Sequence, residues 1–162
     1  MPDYEAKFLE TFKQEHQTIL DGLLDLRGAI RQRDAARAQE LVRALDQVMG
    51  PHFRVEEEAL YPMLTDYLGT ENVRNLLDEH RGAIAAMHLF KQHMGDPAWL
   101  QAQGPEALKM LEGFFMHVTS CDGLSIIIER FSDTQKIELA EHLDRVQAEP
   151  LPLTEWRPAT GV

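Results

Sequence analysis

Four histidines stand where an amphipathic helix needs apolar residues, one in each long helical stretch of the chain. His16 lies four residues after Phe12 and three before Ile19. His52 falls on the stripe Leu41, Leu45, Val48, Ala59, and Glu56 continues that stripe one turn later. His80 interrupts the run Val73, Leu76, Leu77, Ile84, Met87. His117 follows Met110 and Phe114 and precedes Leu124 and Ile128. Residues three or four apart share a helix face, so all four imidazoles point at the core. A single inward histidine is ordinarily a core residue bonded to a carbonyl. Four of them with a carboxylate would cost several kcal/mol if left without partners. A metal ion removes that cost by taking imidazole nitrogens and carboxylate oxygens as ligands.

The apolar period is helical almost throughout, and no segment alternates like a strand. It predicts a first helix over about Tyr4 to Arg31 and a second over about Ala36 to Leu64. Gly50-Pro51 should interrupt the second, because proline lacks the N–H that a helix interior uses, and Pro62 should disturb its last turn. Thr70 reads as the N-cap of a third helix, Glu71 to about His93. Gly95-Asp96-Pro97 ends it, and Gly104-Pro105 opens a fourth that runs to about Phe131. Ser132-Asp133-Thr134-Gln135 is a capping-box sequence for a shorter fifth helix to about Ala148. The expected fold is all-α: an up-down antiparallel four-helix bundle over residues 1–149, with residues 150–162 as a proline-rich tail, extended over the surface or disordered.

Composition narrows the function. The chain has 162 residues, enough for one domain with a real core, and a formal net charge of −11. No basic stripe accompanies that charge, which argues against nucleic acid as a partner. The apolar runs fall short of the roughly 20 residues a membrane span requires, so no membrane association is expected. With one cysteine, Cys121, neither an intrachain disulfide nor a thiol-rich zinc site can form. The first residues carry no secretory pattern, and a cytoplasmic location is expected.

The sharpest local signal is His52–Glu56, a pair one helical turn apart on the apolar stripe, where both side chains reach one ion or one pair of ions. Glu57 and Glu58 read as a solvated face, with Glu57 able to turn towards the site. Around this pair the chain resembles the hemerythrin-like family of HHE cation-binding domains. The resemblance covers roughly Phe8 to Leu143 and rests on Gln-Glu-His16, the stretch from His52 through Pro62, Asp-Glu-His80-Arg, and His117 through Asp122. It implies a non-haem centre of two irons per chain inside the bundle. In that centre His16, His52, His80 and His117 would be terminal ligands, with Glu56 and Asp122 bridging.

Two positions depart from the relatives. Ile84 stands where oxygen carriers place a second histidine in the third helix. Cys121 stands where many relatives have a glutamate; a ligand, a redox-sensitive thiol and a small buried apolar residue are its three available roles. Asp122, five residues after His117, needs a π-bulge near Gly123 to share that histidine's face. His88, eight residues from His80, lies about 12 Å along the helix and is too far to join the site. His93 is less suited still, and His142 reads as a surface or packing residue. The resemblance implies binding or sensing of dioxygen, nitric oxide or another diatomic gas. Iron-dependent turnover of peroxide, oxygen or nitric oxide, and a metal-free interaction module, are the alternatives. The Glu-x-x-His motif of ferritin-like oxidases is absent.

Overall fold

The computed structural model describes residues 3–157, all helical or connecting segments, with no strand among the described residues. Helix α1 (Tyr4–Gln32) is capped by Asp3 and ends at Arg33 in the left-handed region, φ 59°. Helix α2 (Ala35–Val55) is capped by Asp34, whose side chain accepts from the Arg37 N–H. It passes straight into a π-helical turn, Glu56–Leu60, and then into α3 (Tyr61–Leu68). Helix α4 (Thr70–His93) starts after Gly69, whose φ of 79° only glycine adopts freely. Then come α5 (Pro97–Asp122), the short α6 (Ser125–Ile128), α7 (Asp133–Ala148) and a last turn, α8 (Leu153–Trp156). The capping box at Ser132 and Gln135 is formed.

Three boundaries differ from the sequence expectation, each for a physical reason. Pro51 lies inside α2, and the irregular turn comes five residues later, at Glu56. Helix α5 opens at Pro97 under an Asp96 cap, so Gly104 and Pro105 sit in its interior; Gly104 is buried against Ile30. That helix also stops at Asp122, where a turn precedes α6, instead of running on to Phe131. By length and composition alone the stretch Pro97–Ile128 is apolar enough to cross a membrane. Here it packs on α1 and α4 and buries Leu100, Ala107, Leu111 and Phe114.

Helices α1, α2, α4 and α5 pack pairwise as α1 on α2, α2 on α4, α4 on α5 and α5 on α1. The apolar core between them is divided. One cluster holds Ile19, Leu23, Met49, Phe53, Ile84, Met87 and Phe114. The other holds Phe8, Phe12, Val55, Leu76, Cys121 and Leu124. His16, His52, His80 and His117 fall between the two clusters along their helices, all with 3% exposure or less.

The tail is extended only as far as Pro152. Leu153 then inserts into the first cluster and is fully buried. Its neighbour Thr154 bonds to the buried Asp46: the backbone N–H donates to Oδ1 at 2.9 Å and the hydroxyl to Oδ2 at 2.9 Å. Lys91 completes the knot, donating to Asp46 Oδ2 at 2.7 Å and to Thr154 Oγ1 at 2.8 Å. The tail expectation for residues 158–162 lies outside the described residues. Gly50, which the sequence suggests as a helix break, is what lets the tail through: a Cβ there would stand 1.8 Å from the Leu151 carbonyl oxygen. Gly50→Ala should therefore lower stability in urea denaturation by about 1–3 kcal/mol, although alanine is the better helix former by about 1 kcal/mol. Equal or greater stability would mean that the tail does not lie there.

Candidate metal centre

The centre is built around one carboxylate. Glu56 is wholly buried, and its two oxygens face different histidines. Oε1 lies 3.3 Å from His52 Nε2 and 3.8 Å from His16 Nε2. Oε2 lies 2.9 Å from His80 Nε2 and 3.7 Å from His117 Nε2. The Tyr61 hydroxyl stands on the same side, 3.0 Å from His80 Nε2 and 3.4 Å from Glu56 Oε2. The π turn explains how Tyr61 gets there. Five residues after Glu56 is about 140° around an α-helix, but in a π turn the i to i+5 bond closes, and the Tyr61 N–H reaches the Glu56 carbonyl.

Each histidine turns its Nε2 inward and its Nδ1 outward, and each Nδ1 meets a carboxylate from a neighbouring helix. Glu15 on α1 takes His52 at 2.8 Å, and Glu57 in the π turn takes His80 at 2.9 Å. Glu79 on α4 takes His117 at 2.9 Å, and Asp122 on α5 takes His16 at 3.2 Å. The four contacts close a circuit around the bundle. An Nδ1–H donated outward leaves the Nε2 lone pair facing in, which is the tautomer that ligates a metal. Ring packing fixes the planes as well: Phe53 stacks on His80 at 3.8 Å, and Phe12 meets His16 edge-on at 4.3 Å.

The inward-facing atoms fit a site for a cation. His80 Nε2 and His117 Nε2 are 2.9 Å apart. Two nitrogens at that spacing suit neighbouring positions on one ion with metal–nitrogen bonds of about 2.0–2.1 Å. His16 Nε2 and Glu56 Oε1 are buried and have no hydrogen-bond partner among the described residues. Groups of that kind are costly unless something absent from the polypeptide satisfies them. Burial opposes charge on His52, but Glu56 and Glu15 outweigh it and push its pKa up to about 10. Burial likewise works against ionised Glu56, yet the surrounding histidines hold it well below the usual carboxylate range. Burial pushes the Cys121 thiol well up, with Glu56 adding to the effect.

The structure thus brings together five of the six residues singled out in the sequence, His16, His52, Glu56, His80 and His117. The sixth, Asp122, ends on the outer side of His16, with its side chain 56% exposed. At the inward position beside it stands Cys121, its Sγ 3.4 Å from His117 Nε2. Ile84 is buried in the apolar cluster, so α4 adds no second donor at that position. His88 points to the tail instead, its Nε2–H donating to the Arg157 carbonyl at 2.6 Å. His93 stacks on Trp99, and His142 pairs with Glu58 at 2.7 Å. Glu57 turns inward and is itself held by the Arg157 guanidinium. Burial works against its charge, but His80 and Arg157 lower its pKa.

Residues 7–120 match the Hemerythrin HHE cation binding domain family. The chain belongs to that family. No curated protein and no solved structure gave a significant match. The family is one of cation-binding domains, and the His/Glu/Cys clusters just described are groups that could hold such an ion.

Glu15 and Glu79 are the functional residues that sequence reasoning missed. Each directly precedes one of the four inward histidines on the chain but braces the histidine of the next helix. Their one sequence signal is the repeated Glu-His dipeptide, 15–16 and 79–80. Removing such an outer partner typically costs about 10–100-fold in metal affinity. Glu79→Ala should weaken metal binding to that extent in a competition titration while leaving the helical circular dichroism unchanged. An unchanged affinity would show that Glu79 does not orient His117.

Proposed function

We propose that this hemerythrin domain is a non-haem di-iron protein that binds or senses a diatomic gas, dioxygen or nitric oxide, inside an up-down four-helix bundle. The position of Glu56 carries the reading. One oxygen faces the pair His16 and His52, and the other faces the pair His80 and His117. A buried carboxylate placed between two histidine pairs suits two ions that it bridges, one ion per pair. The direction of the helices supports the up-down arrangement. Along the chain, α1 and α4 pass from the cluster of Phe12 and Leu76 to that of Ile19 and Ile84, whereas α2 and α5 pass the other way.

His16, His52 and Glu56 Oε1 would hold one iron; His80, His117 and Glu56 Oε2 would hold the other. When bound, iron supplies a position at which a small diatomic ligand can add reversibly. The polypeptide does the rest. Glu15, Glu57, Glu79 and Asp122 keep the four rings in the ligating tautomer, and the apolar clusters above and below exclude bulk water. The unpartnered atoms, His16 Nε2 and Glu56 Oε1, lie on the side with fewer protein donors. A surface cleft of about 210 Å³, lined by His16, Leu20, Val118 and Asp122 among others, opens beside the His16 ring, where a small molecule could enter.

The test is metal analysis after anaerobic iron loading, followed by spectra of the reduced protein before and after gas addition. About two irons per chain and a reversible new absorption band are expected. Less than about half an iron per chain after reconstitution would overturn the reading. Glu56→Ala removes the group shared by both positions, so it should lose both ions together, by at least about tenfold in affinity for each. Retention of two irons would refute the bridging role.

A further inference from the structure

We propose that Cys121 is a thiolate ligand to the ion at the His80–His117 position, which gives the two halves of the centre unlike donor sets. This rests on the metal reading above and goes beyond it, because that reading needs no sulfur. Cys121 lies four residues after His117, the same spacing as His52 and Glu56, so thiol and imidazole share one face of α5. The Sγ atom is fully buried, 3.4 Å from His117 Nε2 and 3.4 Å from the Tyr61 hydroxyl. A Glu56 carboxylate oxygen, a His117 nitrogen and the Cys121 sulfur all lie within 4.8 Å of one another. His80 Nε2 stands 2.9 Å from His117 Nε2, a spacing that suits two ligands of one ion at the same place.

A cysteine that served only to fill space would not need a phenol and an imidazole as its nearest polar neighbours. With Cys121 included, this half of the centre offers two nitrogens, one oxygen and one sulfur. Four protein donors are what closed, tetrahedral sites present. The His16–His52 half offers two nitrogens and one oxygen, and three protein donors leave room for an outside ligand. On binding, the Sγ–H bond breaks, a sulfur–metal bond forms and the proton leaves to solvent; no electron changes hands. The Tyr61 O–H can then donate to the thiolate. A soft sulfur donor favours a thiophilic ion, so the two halves should differ in which ion they hold and in what order they fill.

Cobalt(II) loading of the full chain tests this. A near-ultraviolet sulfur-to-cobalt charge-transfer band should appear and saturate at about one cobalt per chain, while the visible ligand-field bands grow to about two. Cys121→Ser should lose the charge-transfer band, keep cobalt uptake at the other half, and bind the first ion at least about tenfold more weakly. The chain has a single cysteine, so no other side chain can supply a thiolate. Should the serine variant fail to fold, X-ray absorption of the loaded wild-type protein decides, through a sulfur neighbour at about 2.3 Å. Metal uptake by the wild-type protein without the band or the sulfur neighbour would overturn the proposal and leave the di-iron reading standing. Persistence of the band in Cys121→Ser would also overturn it. Failure to take up any metal would sink both, starting with the metal reading.

Discussion

A single buried carboxylate sets the terms for this bundle. Glu56 has no exposed surface and stands in the layer that separates two apolar clusters. An ionised carboxylate in such a place is expensive unless opposite charge or strong donors surround it. Four imidazoles, one from each long helix, answer that need, and each needs an outer carboxylate to hold its proton and its plane. The result is a closed sequence of contacts: α1 braces α2, the π turn braces α4, α4 braces α5, and α5 braces α1. The apolar clusters provide most of the driving force for folding. The polar layer fixes the register and facing of the helices, because a slip of one residue in any of them would leave an imidazole without its acid.

The inward histidines were legible because the helical period is strong and each one replaces an apolar residue at the expected phase. The same clarity located Glu56 and the capping box at Ser132. The outer acids were not legible in the same way. Glu15 and Glu79 look like ordinary surface charge in sequence, and their partners, like that of Asp122, sit on other helices, 37, 38 and 106 residues away along the chain. Asp122 shows the difficulty most plainly. The resemblance points it at the metals, although its spacing from His117 fits poorly, and the turn of α5 that presents Cys121 inward carries Asp122 past the core to the outer side of His16.

Local rules also misplaced the irregularities. Proline at 51 suggests a break, yet the helix runs through it, and the departure from α geometry comes at Glu56–Leu60, directly ahead of Pro62 in the first turn of α3. That departure serves the site: it sets Glu56 and Tyr61 on one side of the helix and leaves Glu57 to turn towards His80. The docked tail escaped detection for another reason. One buried leucine and one threonine among prolines carry no periodic signal, and their value comes from the apolar cluster that takes Leu153 and from Asp46, more than a hundred residues before Thr154.

The tail gives the metal layer an unexpected correspondent. Arg157 lies well beyond residue 120, where the family match ends, yet its guanidinium holds the same Glu57 that orients His80. Linked equilibria are reciprocal. Any coupling through that shared carboxylate therefore runs both ways, from His80 to the tail and from the tail to His80. The far end of the described chain thereby shares one carboxylate with the buried histidine layer, and both are held through the same group.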